Sequence, residues 1–233
     1  MRRQTTSRVE TLEDELERQV LDGRFKPGDH LGEIALAEEF DVGRNTLRAA
    51  FDGLVRRGLL VKSPNRGVFV RALTARDLAE IYALRIALEV QASRMLAERK
   101  WVPDAARSAL AQQHRLGPRS SQRVVVEADL AFHHALVIGT GNSRLTRAHK
   151  NLEIEILLCL AQLVRGYATV GQLAGEHAAL LEAIESGAPT AAEAVIRRHL
   201  ENATSWLIEH ATAQEDGPYT VGVVTPSASS DLG

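Results

Sequence analysis

Apolar residues recur at helical spacing from the start of the chain. Val9, Leu12, Leu16, Val20 and Leu21 fall near one face of a helix over residues 9–22, which Gly23 ends. Pro27-Gly28-Asp29 predicts a turn. A second helix over 33–40 takes its apolar positions from Ile34, Leu36, Ala37 and Phe40, and Asp41-Val42-Gly43 turns the chain again. Over 44–57 the inward positions are Leu47, Ala50, Phe51 and Leu54, which leaves Arg44, Asn45, Arg48 and Asp52 outward. After Gly58 the period changes from helical to alternating. Residues 59–62 and 68–71 read as two strands around the tip SPNRG at 63–67.

From Thr74, an N-cap by residue type, the pattern is helix after helix: 75–99, 103–115, 122–139, 143–165, 171–186 and 190–212. Pro103, Gly117-Pro118, Gly139, Gly141, Gly166 and Gly187 stand at or between their ends. Long amphipathic helices with short connections predict an antiparallel all-α bundle. Beyond residue 212 turn formers dominate without periodicity, as in a flexible tail. The expected fold class is mostly α, with a small helix-turn-helix and hairpin unit at 1–72, a helical unit at 73–212 and a tail at 213–233.

Composition adds little until charge is mapped. The chain of 233 residues is 45% apolar and 25% charged, as in ordinary globular proteins, and its formal charge is −2. Between Gly43 and Arg71, however, seven basic residues face one acid, Asp52; the other 204 residues hold 21 basic and 29 acidic ones. The lone Cys159 permits no internal disulfide, reads as a small core residue and suits a reducing cytoplasm. The N-terminus shows no apolar signal region, and no apolar run approaches the ~20 residues of a membrane span, so no membrane partner is expected.

A compact basic helix-turn-helix followed by a basic hairpin suits double-stranded DNA. Arg44 and Arg48 are four apart and share a face near a helix start, with Asn45 beside them. Arginine pairs bidentately with guanine and asparagine with adenine in the major groove. Thr46 and the free N–H groups of the helix start suit phosphate. Arg66 and Gly67 at the hairpin tip suit the minor groove, where glycine permits close approach. Arg56 and Arg57 belong at the back or near a phosphate.

In the helical unit, Asp129 and His133 are an i,i+4 pair, and His177 and His199 lie on apolar stripes of two further helices. Unpartnered, each such group would cost roughly 1–3 kcal/mol. A divalent transition metal would satisfy all four together, with zinc first and nickel, iron or manganese also suited. Each histidine taken singly is an ordinary core residue with a partner. His134 and His210 compete with His133 and His199, and spacing does not choose between His133 and His134.

Residues 9–71 resemble the winged helix-turn-helix of GntR-family bacterial transcription regulators, on GRFKPGDHLGE (23–33), LAEEFDVGRNTLRAAFDGLVRRGLL (36–60) and SPNRGVFV (63–70). The resemblance implies DNA contacts at Arg44, Arg48 and Gly67. Gly43 stands where the family has Ser or Thr, and Ile34 where a basic residue is common. Residues 77–211 resemble the FCD effector domain of the FadR-type subfamily, on DLAEIYALRIALE (77–89), DLAFHHAL (129–136), GEHAALLEAIESG (175–187) and AAEAVIRRHL (191–200). That resemblance implies metal ligands at Asp129, His133, His177 and His199, and an effector carboxylate at Arg85. An ion pair with Glu89 is the plainer role for Arg85. The family also implies a homodimer on a pseudo-palindromic operator, control by a small organic acid, repression as the commoner sense, and a place in the bacterial cytoplasm on the nucleoid. A metal-ion sensor is the alternative. A metal-dependent enzyme acting on a carboxylate is weaker, since no extra general base is visible and the DNA unit would be unexplained.

Overall fold

The computed structural model describes residues 2–164, 166 and 169–211, so the tail expected at 213–233 lies outside the described residues. Helix α1 (Arg2–Leu21) is followed by strand β1 (His30–Leu31), α2 (Glu33–Glu39), α3 (Arg44–Arg57), β2 (Leu60–Ser63) and β3 (Gly67–Val70). The three strands form an antiparallel sheet in the order β1-β3-β2, with His30 opposite Phe69 and Leu60 opposite Val70. β1 is a strand the apolar pattern does not announce. It is two residues long and exists only because β3 offers it a distant edge. Leu47, Ala50, Phe51 and Leu54 are all buried, as their period requires, against Leu12, Leu16 and Val20 of α1. The Glu13 carboxylate of α1 lies over Gly53, where a Cβ would stand 1.9 Å from it. Gly58 ends α3 in the left-handed conformation, at φ 85°.

Seven helices follow: α4 (Ala75–Glu98), α5 (Asp104–Gln113), α6 (Gln122–Gly139), α7 (Ser143–Asn151), α8 (Glu153–Leu163), α9 (Val170–Glu185) and α10 (Pro189–His210). Thr74 caps α4 through a capping box, accepting from the Asp77 N–H while its own N–H donates to the Asp77 carboxylate at 2.8 Å. The single helix expected over 143–165 is two. At Leu152 the backbone turns to φ −91°, ψ −3°, and its N–H reaches His149 rather than the residue four back. Neither glycine nor proline marks this break. α4 packs chiefly against α10, and α6 lies among α4, α5 and α8. The units meet where Arg71, just past β3, pairs with Glu155 of α8 at 3.1 Å, and where the Arg123 N–H reaches Asp22 at 3.4 Å. No helix among the described residues is long and apolar enough to cross a membrane.

Candidate functional site

Two candidate sites stand out among the described residues. The first is an exposed groove of about 520 Å³ between the start of α2, the start of α3 and the hairpin tip, lined by His30, Glu33, Ile34, Arg44, Arg48 and Gly67 among others. The fold thus brings Arg44, Arg48 and Gly67 together. Asn45 is exposed at the start of α3 and Thr46 is half-buried, but neither lines the groove. Arg66 is exposed and lies over the Phe69 ring, 5.8 Å from its centroid. Gly67 is required twice over: its φ is 100°, and a Cβ would sit 2.6 Å from His30 Nε2. Gly43 caps α3 with no side-chain bond, and Ile34 is 65% exposed. Arg48 is held by Glu33 at 2.7 Å and Lys62 by Asp52 at 2.5 Å, both pairs in solvent. Arg57 pairs with Glu17 of α1, on the back of the unit.

The second site is buried. Three histidines converge from α6, α9 and α10: the ligating nitrogens of His133, His177 and His199 all lie within 4.8 Å of one another. His177 Nε2 is 3.4 Å from His199 Nε2. Asp129 sends one oxygen to within 3.6 Å of His133 Nε2 and the other to within 3.6 Å of His177 Nε2. Phe132 stacks on His177 at 4.0 Å and fixes its ring plane. The competitors separate cleanly. His134 stacks on His149, away from the three, and His210 is exposed against Trp206.

Each converging ring has an outer neighbour. His133 Nδ1 lies 2.6 Å from Glu89, His177 Nδ1 2.7 Å from the Gln113 carbonyl oxygen, and His199 Nδ1 2.5 Å from Glu176. At His177 and His199 a separation this short requires a proton between nitrogen and oxygen, so Nδ1 donates and Nε2 turns inward; His133 Nδ1 and Glu89 Oε2 lie close but do not meet in hydrogen-bond geometry. Burial, reinforced by the other imidazoles, holds His177 well below the ordinary histidine pKa; burial also lowers His133. His133 and His177 therefore stay neutral imidazoles at neutral pH. One zinc ion with ~2.0–2.1 Å bonds would hold two nitrogens about 3.3–3.4 Å apart, the separation of His177 and His199 Nε2. The donor set fits a divalent metal: three imidazoles, and a carboxylate that approaches two of them.

Arg85 makes the expected ion pair with Glu89, its Nε donating at 2.9 Å; its Nη2 is buried without a hydrogen-bond partner, and the residue lines a cavity. That cavity is lined by Tyr82, Arg85, Asp129, His199 and apolar side chains of α8, α9 and α10, including Leu160, Leu163 and Leu173. Its volume is about 20 Å³, room for one water. Glu89 also lies 3.3 Å from His149. Burial alone would raise the Glu89 carboxyl; Arg85 and His133 outweigh it and hold the group well below the usual carboxylate range. Glu89, Gln113 and Glu176 carry no site role in the sequence reading. Glu176 is visible beside His177 in the sequence, yet it serves His199 on another helix.

Residues 80–202 match the FCD domain family and residues 8–70 match the family described as bacterial regulatory proteins, gntR family. The chain is 27% identical over 196 residues to a probable D-xylose utilization operon transcriptional repressor of Paenarthrobacter nicotinovorans, covering 84% of this chain and 86% of the relative. It is 24% identical over 234 residues to the galactonate operon transcriptional repressor of Escherichia coli, covering 88% and 99%. Among solved structures, a putative GntR transcriptional regulator from Rhodococcus sp. RHA1 superposes with a TM-score of 0.74 at 26% identity, over 88% of this chain and all of the other.

Proposed function

The chain belongs to the gntR family of bacterial regulatory proteins and carries an FCD domain, and on that premise we propose a metabolite-responsive homodimeric repressor. It is a DNA-binding transcriptional regulator, from a family of regulators rather than enzymes, and repressors stand among its relatives. In the proposed reading Arg44 and Arg48 read base edges of a pseudo-palindromic operator, Gly67 and Arg66 follow the minor groove, Asn45 pairs with an adenine edge, and Thr46 meets a phosphate beside the start of α3. Asp129, His133, His177 and His199 hold a divalent transition metal, zinc first. Two relatives are named for xylose and galactonate operons. A small organic acid is the ligand class we infer, acting in the bacterial cytoplasm.

One observation carries this reading: the unpartnered Arg85 Nη2 shares a cavity with Asp129 and His199. A bound ion supplies a Lewis-acidic partner for a carboxylate. Arg85 donates to the same carboxylate, and Glu89 keeps its guanidinium from turning away. A cavity of about 20 Å³ takes an organic acid only if the apolar side chains that line it move, and Leu160 and Leu163 of α8 are among them. α8 also carries Glu155, the partner of Arg71 beside the hairpin. Filling the cavity and placing the DNA unit thus bias one element, which is how an effector alters affinity at a distance.

Fluorescence anisotropy of labelled DNA from upstream of the gene tests this, with zinc-loaded protein and a panel of small carboxylates. At least one acid should shift operator affinity about tenfold or more. The reading fails if neither metal nor any acid changes binding. The small cavity favours a second reading, a metal-ion sensor, which metal-dependent operator binding unchanged by every acid would establish. The lining residues outside the ligand set are Tyr82, Arg85 and apolar groups; burial pushes the Tyr82 hydroxyl up, so none of them accepts a proton near neutrality.

A further inference from the structure

A histidine faces a cation with one ring nitrogen only when the other carries the proton. For His133 and His199 the outer neighbours are the carboxylates of Glu89 and Glu176, which accept and do not donate. His177 differs. Its neighbour is an amide, and an amide end offers either an acceptor oxygen or a donor NH2, depending on which way round it lies. With NH2 toward Nδ1, the His177 proton would move to Nε2. It would then point at His199 Nε2, 3.4 Å away, and at Asp129, 3.6 Å away. The inward lone pair would be gone.

One bond decides between the two. Gln113 Nε2 donates to the Ala128 carbonyl at 3.1 Å, which leaves Gln113 Oε1 to accept from His177 Nδ1 at 2.7 Å. Gln113 is 4% exposed, so solvent does not substitute for either contact. Ala128 immediately precedes Asp129. The same turn of α6 therefore offers His177 a carboxylate on one side and, through the glutamine, a proton acceptor on the other.

We propose that Gln113, the last residue of α5, is the positioning residue that fixes His177 as the Nδ1–H tautomer, through its bond to the Ala128 carbonyl. Gln113 touches no ion; it acts through His177. The proposal rests on the reading of the buried centre as a metal site. It explains why α5, which sends no ligand inward, ends in a buried polar residue.

Long-range 1H–15N correlation spectra of the full chain, chelator-treated and zinc-loaded, read the tautomer directly. The wild type should show His177 with its proton on Nδ1 in both states. In Gln113→Leu the metal-free signal should shift to Nε2–H or a mixture, and zinc affinity by chelator competition should fall roughly 10–100-fold. Gln113→Glu keeps an oxygen toward Nδ1 and should hold affinity within about threefold of wild type by the same principle. A wild-type proton on Nε2, or a folded Gln113→Leu variant unchanged in tautomer and affinity, overturns the proposal. If circular dichroism shows Gln113→Leu unfolded, the wild-type tautomer and the Gln113→Glu affinity decide. Nδ1–H in a wild type that binds no zinc would sink the metal reading and leave the tautomer assignment standing.

Discussion

The exposed groove and the buried centre use the same kinds of side chain for opposite purposes. In the groove, Arg48 is paired with Glu33 in solvent, as Lys62 is with Asp52 elsewhere on the same unit. Such pairs are screened and worth little, so a phosphate can replace Glu33 at small cost. In the centre, Arg85, Glu89, His133 and His177 are at most 2% exposed, and each is a neighbour's condition for staying buried. The groove is built to change partners and the centre to keep them. Substitutions should accordingly be local and mild in one region, and shared and severe in the other.

The strongest way to break this contrast is Phe132→Ala. The ring is fully buried and stacks on His177, so its loss should cost about 3–5 kcal/mol in urea unfolding of the helical unit and weaken zinc binding with it. A loss under about 1 kcal/mol would show that the centre is not the mutually dependent set described. Next is Arg44→Ala, expected to lower operator affinity by about 1–3 kcal/mol while leaving zinc affinity and stability unchanged. A change in the salt slope alone, with no change in sequence preference, would move Arg44 from base to phosphate contact.

Acid sharpens the comparison. His133 and His177 are held below their unfolded pKa, so below about pH 6.5 the unfolded chain takes up protons that the folded, metal-free chain refuses. Metal-free stability should be greatest above that pH. It should fall as pH drops, by up to about 1.4 kcal/mol per unit for each group, and level off once the folded imidazoles protonate. Thermal melts at pH 7.5, 6 and 5 measure it; a flat profile would refute the buried neutral histidines. Glu33→Gln should have the smallest effect. Freeing Arg48 and removing one negative charge should tighten DNA binding a few-fold, with stability within about 0.5 kcal/mol of wild type.

The sequence made the groove largely legible and the centre only half so. Periodicity assigns each residue to a face, and that suffices for Leu47, Phe51 and Arg44, whose function depends on the face alone. It also set His133, His177 and His199 inward. It does not say which residue of another helix a ring will meet, so Gln113 and Glu176 were unreadable as partners, and Glu89 was readable as the partner of Arg85 but not of His133. The choice of His133 over His134 awaited the orientation of α6 against α9 and α10. Two further features depend on distant contacts rather than local composition. β1 needs β3 beside it, and the break at Leu152 has no glycine or proline to announce it.

The cavity beside Arg85 has a consequence in time. On the proposed reading, a space with room for one water would admit a metabolite only in the moments when the apolar side chains that line it stand aside. Arrival would then be paced by how often that lining opens, not by collisions, so above a modest concentration more metabolite would not bring a faster answer. Departure would wait on the same opening. A regulator so built would report the recent average of its signal and let brief gaps in supply pass unrecorded.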